Sequence, residues 1–281
     1  MHENLDDNKS KIEQLAQCIR ESKRIVAFTG AGCSTESGVP DFRSSSGLFN
    51  GGKMGTNLYS STESNVPDFR SDEGLYAANQ QRVYPYPPET MLSHSFFERN
   101  PELFYQFYFD KMVYPEAKPN PAHLALARLE QQGRLMAVVT QNIDGLHQMA
   151  GSKRVYELHG SVHRNTCLHC GKHYSLEQML QWKGNGIPRC SCGGVIKPDV
   201  VLYEESLDET VLRNAIRSIE AADLMIVGGT SLAVYPAAGL LQYYGGTELV
   251  LINKTRTPYD RRASLVIREP IGQVLDAAVP R

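Results

Sequence analysis

Four of the six cysteines in this chain form two close pairs, Cys167-x2-Cys170 and Cys190-x-Cys192, with nineteen residues between them. Two pairs at that separation can bring four thiolates into the tetrahedron that zinc favours. Four sulfur ligands leave no position open for a substrate, so the expected ion is one structural zinc. The second pair has one intervening residue where two are commoner. His169 and His173 are near enough to compete, but neither is expected to bind. Cys18 and Cys33 are read as packing residues.

Three other groupings could do chemistry. Gly30-Ala31-Gly32 follows a β-rich run, and small residues there let backbone N–H groups approach a phosphate, or simply make a tight turn. Gly38 comes too late to complete the GxGxxG spacing of hydride-transfer sites. Gln141-Asn142-Ile143-Asp144-Gly145 follows a buried run; its amides and carboxylate could recognise a carboxamide and ribose hydroxyls, or form a polar turn. His159, in Glu157-Leu158-His159-Gly160, could be a general base or a satisfied structural histidine.

Positioning these groups requires a regular frame. An amphipathic helix is expected over Ile12–Glu21, with Ile12, Leu15, Ala16 and Ile19 on one face. Strands are expected at Arg24–Thr29, Leu135–Thr140, Leu224–Val227, Leu249–Ile252 and Leu265–Ile267. Helices are expected at Pro121–Gln132, Leu207–Ala221, Pro236–Tyr244 and Ile271–Ala278. Apolar strands alternating with helices predict an α/β fold: a Rossmann-like, doubly wound parallel sheet with a small zinc-binding lobe. Such sheets bind ligands at the carboxyl ends of their strands, where Gly30, Gln141 and Gly228–Ser231 fall.

Two regions break the alternation. The cysteine-bearing stretch 155–205 is expected to form the small lobe. Residues 34–90 are polar and rich in Gly, Ser and Pro, as in a functional lid. The predicted division is 1–33, 120–154 and 206–281 for the large domain, 34–119 for a cofactor loop and helical part of the small lobe, and 155–205 for the zinc lobe. The second region contains a repeat: Ser34–Phe49 and Ser61–Tyr76 agree at twelve of sixteen positions, 27 residues apart. Two copies without further periodicity are a duplication, not a repeat fold.

Composition narrows the classes. The 281 residues are 41% hydrophobic and 21% charged, which excludes a disordered or collagen-like chain. Lys+Arg 29 against Asp+Glu 31 leaves a net charge of −2, which argues against direct nucleic-acid binding. No apolar run reaches the ~18 residues of a membrane span, and the polar N-terminus does not read as a secretory signal. Paired thiols in a reducing setting make the cytoplasm the expected compartment.

Taken together and in order, the motifs resemble the sirtuins, the NAD-dependent protein-lysine deacylases. The resemblance runs from Ile12 to the C-terminus. It rests on GAGCSTESGVPDFR (30–43), TQNIDGLH (140–147), ELHG (157–160), the four cysteines, KPDVV (197–201), GGTSLAVYPAAGL (228–240) and LINK (251–254). It implies NAD as a consumed co-substrate and acetyl-lysine protein substrates, with nicotinamide, O-acetyl-ADP-ribose and free lysine as products. By motif match, His159 would be the general base, and Asn142 would also be catalytic. Gly30, Ala31, Gly32, Thr35, Asp41, Phe42 and Arg43 would line the cofactor loop. Asn142, Ile143 and Asp144 would form the nicotinamide pocket, with Gln141 on the ribose. Gly229, Thr230, Ser231, Asn253 and Ile271 would complete the cofactor site.

Three departures qualify the resemblance. The substrate strand is usually an apolar pair followed by Gly-Glu; here it reads Leu202-Tyr203-Glu204-Glu205. Members that prefer acidic acyl groups carry Tyr-x-x-Arg on the helix after the lid. Here Tyr108 is followed by Lys111, which cannot form the same fork with a carboxylate, so a short neutral acyl group is favoured. The duplicated PDFR segment is the third. The first copy, Pro40–Arg43, is expected to serve the cofactor because it follows the Gly30 turn directly and keeps Gly38 where the second copy, ending Pro67–Arg70, has Asn65. A mono-ADP-ribosyltransferase, or an NAD-binding protein impaired by the duplication, are the alternatives.

Overall fold

The computed structural model describes residues 2–41 and 84–280. It opens with α1 (His2–Glu21) and β1 (Ile25–Thr29). Beyond residue 83 come α2 (Pro88–Met91), α3 (His94–Arg99), α4 (Pro101–Lys111) and α5 (Pro121–Gln131), then β2 (Leu135–Thr140), α6 (Leu146–Met149) and β3 (Val155–Glu157). β4 (Gly160–Cys167), β5 (His173–Ser175), α7 (Leu176–Leu180) and β6 (Ile196–Val200) follow. α8 (Glu209–Ala221), β7 (Leu224–Gly228), a 3-10 helix (Ala237–Tyr243), β8 (Glu248–Ile252), β9 (Leu265–Ile267) and α9 (Ile271–Ala278) complete the order.

Six strands form one parallel sheet, in the order β3-β2-β1-β7-β8-β9. The central strand shows why both faces must be covered. Ile25 and Ala27 of β1 join the apolar cluster that α1, α5 and α9 close. Val26 and Phe28 join the opposite cluster, closed by α8 and the 3-10 helix. All five residues of β1 are buried, as a strand between two helical layers requires. The chain builds β2 and β3 on one side of β1, then crosses back to add β7, β8 and β9 on the other. The carboxyl ends of β1, β2 and β7 therefore meet at the switch point where open α/β sheets bind ligands.

A second sheet, β5-β4-β6, is antiparallel. Its core is shared with α2, α3 and α4, through Met91, Phe97, Phe104, Tyr105 and Tyr108 packed against Val162, Met179 and Ile196. Tyr105 donates its hydroxyl hydrogen to the Ile196 carbonyl at 2.6 Å, tying α4 to β6.

The expected elements shift in three places. Val155–Glu157 pairs with β2, so the small lobe begins after β3 and not at residue 155. The helix expected from Ile12 begins at His2, because charged pairs such as Asp7–Lys11 at 2.6 Å extend it beyond its apolar face. In place of the helix expected over Pro236–Tyr244 there is a 3-10 helix, Ala237–Tyr243, with Gly239 N–H bonded to the Pro236 carbonyl at i−3. Residues 42–83 of the expected lid, 34–90, lie outside the described residues, and with them Phe42, Arg43 and the second PDFR copy. Among the described residues no helix is long and apolar enough to cross a membrane.

Two turns at the sheet's carboxyl end are in direct backbone contact. Gly32 N–H donates to the Gly229 carbonyl at 2.7 Å. Gly229 has φ +63°, and a Cβ there would lie 2.2 Å from the Cys33 nitrogen. Gly229→Ala therefore meets both a left-handed backbone and a backbone clash. It is expected to cost more than ~2 kcal/mol of unfolding free energy, measured by urea denaturation.

Candidate functional site

The site is built where β1, β2 and β7 end. Ala31–Cys33 and Thr35–Ser37 form two 3-10 turns. Cys33 N–H bonds the Gly30 carbonyl, and Thr35 Oγ1 donates to the Gly32 carbonyl at 3.0 Å. Gly38 ends the second turn at φ +79°, in the left-handed region that glycine enters freely. The Glu36 carboxylate accepts from Gly272 N–H at 2.9 Å, tying this loop to the start of α9 beside Ile271. Asp41 is half-buried and is the last described residue before the lid.

A buried polar relay links this loop to the end of β2. Asn142 Nδ2 donates to Ser34 Oγ at 2.9 Å, and Ser34 Oγ donates to the Asp144 carboxylate at 2.7 Å. Asn142 N–H donates to Thr140 Oγ1 at 3.0 Å, which also accepts from Thr29 Oγ1 at 2.9 Å. Thr29 Oγ1 in turn contacts His147 Nε2 at 3.0 Å. Ser34, Thr29, Thr140 and His147 were not singled out from the sequence. Their signal was weak: each is a hydroxyl or imidazole at or next to a strand end, in or beside a motif already noted.

Asn142 Oδ1 is buried and has no hydrogen-bond partner among the described residues. A buried acceptor without a donor is costly, and a carboxamide N–H would satisfy it. Ile143 packs with the small-lobe core, and its carbonyl accepts from Val162 N–H at 3.0 Å. The Asn142–Asp144 segment thus bridges the two lobes.

His159 follows β3 and is half-buried. Its Nδ1 lies 3.0 Å from the Gln141 carbonyl. A carbonyl only accepts, so Nδ1 carries the hydrogen and Nε2 keeps its lone pair, the tautomer of a base. Burial lowers its pKa below the ordinary histidine value, partly opposed by the Gln141 carbonyl. Gln141 Nε2 donates to Thr230 Oγ1 at 3.0 Å. Thr230 is buried and also accepts from Leu232 N–H; Ser231 beside it is half-buried. Asn253 leaves β8, with its N–H on the Ile267 carbonyl and its side chain on Thr255. The structure brings Gly30, Ala31, Gly32, Thr35, Gln141, Asn142, Ile143, Asp144, His159, Gly229 and Thr230 to one end of the sheet. Ile271 packs beneath, against Gly228, where a Cβ would lie 2.1 Å from Ile271 Cδ1.

Cys33, His123 and His147 form a second grouping, each fully buried, with one ligand atom of each within 4.8 Å of the others. Burial pushes His123 down to about 4 and holds His147 well below the ordinary histidine value, so both rings are neutral. Asn120 N–H donates to His123 Nδ1 at 3.2 Å, which leaves the ring hydrogen on Nε2. A metal would need that lone pair, so the chemistry of this trio does not suit one. Cys33 is a core residue, as expected.

The four remaining cysteines do suit a metal. Their sulfurs all lie within 4.8 Å of one another, with Cys167–Cys192 and Cys170–Cys190 each at 3.6 Å. Zinc–sulfur bonds of ~2.3 Å in a tetrahedron separate sulfurs by about 3.8 Å. The Cys192 backbone N–H and the Tyr174 hydroxyl hold the Cys190 thiol down to about 5. Neither His169 nor His173 belongs to the cluster. The short Cys-x-Cys spacing is accommodated by a turn in which Cys190 N–H bonds the Gly194 carbonyl.

A model of the Sir2 family matches residues 59–236, beginning two residues before the second repeat copy. An NAD-dependent protein deacetylase of Clostridium acetobutylicum is 50% identical, over 96% of this chain and 98% of that one. One from Clostridium tetani is 55% identical, over 95% and 96%. A solved structure described as Sir2 with p53 peptide and NAD+ superposes with a TM-score of 0.73 at 36% identity, covering 94% of this chain and 95% of that one. Another Sir2 enzyme reaches a TM-score of 0.78 at 36% identity, covering 96% and 97%.

The cysteine geometry yields a prediction. Elemental analysis of the purified protein should find one zinc per chain. Cys190→Ser should leave zinc substoichiometric and lower the thermal midpoint, because metal binding contributes folding free energy.

Proposed function

The chain belongs to the Sir2 family, and from that premise we propose that it is an NAD-dependent protein-lysine deacetylase whose base is His159. The carrying observation is the His159 ring, held by the Gln141 carbonyl so that Nε2 keeps its lone pair. NAD would supply the ADP-ribosyl group that accepts the acetyl group as nicotinamide leaves, and with one water consumed the products are O-acetyl-ADP-ribose and free lysine. The NAD fit is supported by the unsatisfied Asn142 Oδ1 and by glycines at the ends of β1 and β7 that admit no side chain.

In this reading Asn142 accepts from the nicotinamide carboxamide. Ser34 and Asp144 hold the Asn142 amide in orientation, and Ile143 covers the pocket on its apolar side. Gln141 meets the ribose, while Thr230, Ser231 and Asn253 hold the adenosine half. His159 Nε2 takes a proton from a ribose hydroxyl. The cysteine lobe holds its zinc as a structural ion. The large domain comprises the six-stranded sheet and its helices, and the substrate is a protein carrying a short neutral acyl-lysine. Tyr108 supports that preference: its ring is buried in the small-lobe core, with half-buried Lys111 in place of arginine. The proposed compartment is the cytoplasm.

The first repeat copy is the proposed cofactor segment, although the family match takes in the second copy and not the first. The support is local: Ser34, Glu36 and Ser37, from its opening residues, bond to Asn142 and Asp144, to Gly272 and to Asn120. Arg43→Ala should impair turnover far more than Arg70→Ala, as read by steady-state deacetylation; the reverse ranking would transfer the role to the second copy.

Nicotinamide release that depends on an acetylated peptide tests the activity, since a dehydrogenase or an ADP-ribosyltransferase would not require it. His159→Ala should lower deacetylation by ~10²-fold or more and retain NAD binding by calorimetry. The base works only when neutral, and burial lowers its pKa from 6.5. The activity plateau should therefore extend below pH 6.5, then fall as Nε2 is protonated.

A further inference from the structure

The segment after β6 contains a glutamate in a backbone conformation suited to glycine. Glu204 has φ +77°, in the left-handed region where an L-residue's Cβ crowds the following carbonyl. A turn closed by Glu205 N–H on the Leu202 carbonyl at 3.1 Å places it there, and its own carboxylate fastens that turn to α3. Glu204 Oε2 accepts from Ser95 N–H at 2.9 Å, and Oε1 accepts from Ser95 Oγ at 3.0 Å. Ser95 lies in the first turn of α3, so both oxygens of the carboxylate are engaged by one residue of the small lobe.

The flanking residues are tied to the same place. Tyr203 N–H donates to the Leu92 carbonyl at 2.9 Å, and His94 N–H donates to the Tyr203 carbonyl at 3.0 Å. The Glu205 carboxylate accepts from Leu202 N–H at 2.9 Å, lies 2.8 Å from His94 Nδ1, and accepts from Lys197 Nζ at 3.1 Å. On the other side, Val201 N–H donates to the His159 carbonyl at 2.9 Å. The segment is thus fastened to the base at one end and to α3 at the other. The peptide groups of Glu204 itself make no hydrogen bond among the described residues, and the residue is exposed. A backbone edge with free N–H and C=O groups is what an extended peptide pairs with.

We propose that Glu204 and Ser95 form a clasp that fixes the substrate-pairing backbone beside His159, making both positioning residues for the acyl-lysine peptide. The proposal rests on the deacetylase reading above. The clasp does for glutamate what conformational freedom does for glycine: it keeps φ positive, so the free edge at Glu204 faces outward. Without it, the residue relaxes towards negative φ and the edge turns.

A double-mutant cycle tests this, because the clasp matters only where glutamate needs holding. Ser95→Ala in the natural background should raise KM for an acetyl-lysine peptide about tenfold, the scale set by the left-handed penalty. The same change in Glu204→Gly should move it by less than about twofold, within the usual additivity error. kcat and KM for NAD should stay within about twofold in all variants. An equal effect of Ser95→Ala in both backgrounds, or a parallel rise in KM for NAD, overturns the proposal. Amide hydrogen exchange provides an arm that needs no turnover. In the free protein, Ser95→Ala should speed exchange at His94 and Tyr203 with Glu204 present and not with Glu204→Gly, and unchanged exchange overturns the clasp. If the unmodified protein fails to turn over any acetyl-lysine peptide with NAD, the deacetylase reading falls, and exchange alone decides the clasp.

Discussion

Everything at the functional end of this molecule depends on two backbones coming close enough to hydrogen-bond across the top of the sheet. Gly30–Gly32 and Gly228–Gly229 approach so closely that a Cβ at Gly30, Gly32 or Gly229 would lie within 3.0 Å of a neighbouring heavy atom. That proximity sets the geometry of the first 3-10 turn. The turn sets the direction of Ser34, and Ser34 orients Asn142 and Asp144. A bulkier residue at any of these glycines would open the turn and pull the relay apart from its first link. The sheet order β2-β1-β7 is what makes the approach possible, since it brings both turns beside Gln141.

The same end of the sheet carries an unusual density of buried polar groups. Thr29, Thr140, Asn142, Ser34 and His147 are all buried, where desolvation would be costly without partners. Most are satisfied by one another, in a chain running from His147 through the two threonines to Asn142. Such a network is worth more than its separate bonds, because each polarises the next. Two atoms are left over among the described residues, His147 Nδ1 at one end and Asn142 Oδ1 at the other, and the latter lies among the residues assigned to the nicotinamide pocket.

Much of this was legible in the residues. Leu135–Thr140, Leu265–Ile267 and Ile271–Ala278 were bounded correctly because buried runs and helix-start prolines are local signals. Val155–Glu157 was not read as a strand: three residues, ending in a glutamate, show no periodicity, and only pairing with β2 makes them one. The small-lobe sheet was equally hidden, since its residues are chosen for turns and thiols. Of the site, the motif residues were legible because their types and order are distinctive. Ser34, Thr29 and Ser95 were not, because each acts through a partner far away in sequence: Ser34 through Asp144, Thr29 through Thr140, Ser95 through Glu204. Glutamate at 204 stood out as a departure, but only the backbone angle and the serine opposite it give the substitution a physical sense.

Gln141 has a consequence beyond its own contacts. Its side chain reaches Thr230, at the end assigned to adenosine, while its carbonyl steers the imidazole of His159. One residue therefore links Thr230, at the end of β7, to the imidazole of His159. Whatever seats itself against Thr230 acts, through that amide and its own peptide unit, on where the ring points. In the proposed reading, alignment of the base is therefore contingent on contacts made at Thr230 as well as on the histidine's own surroundings.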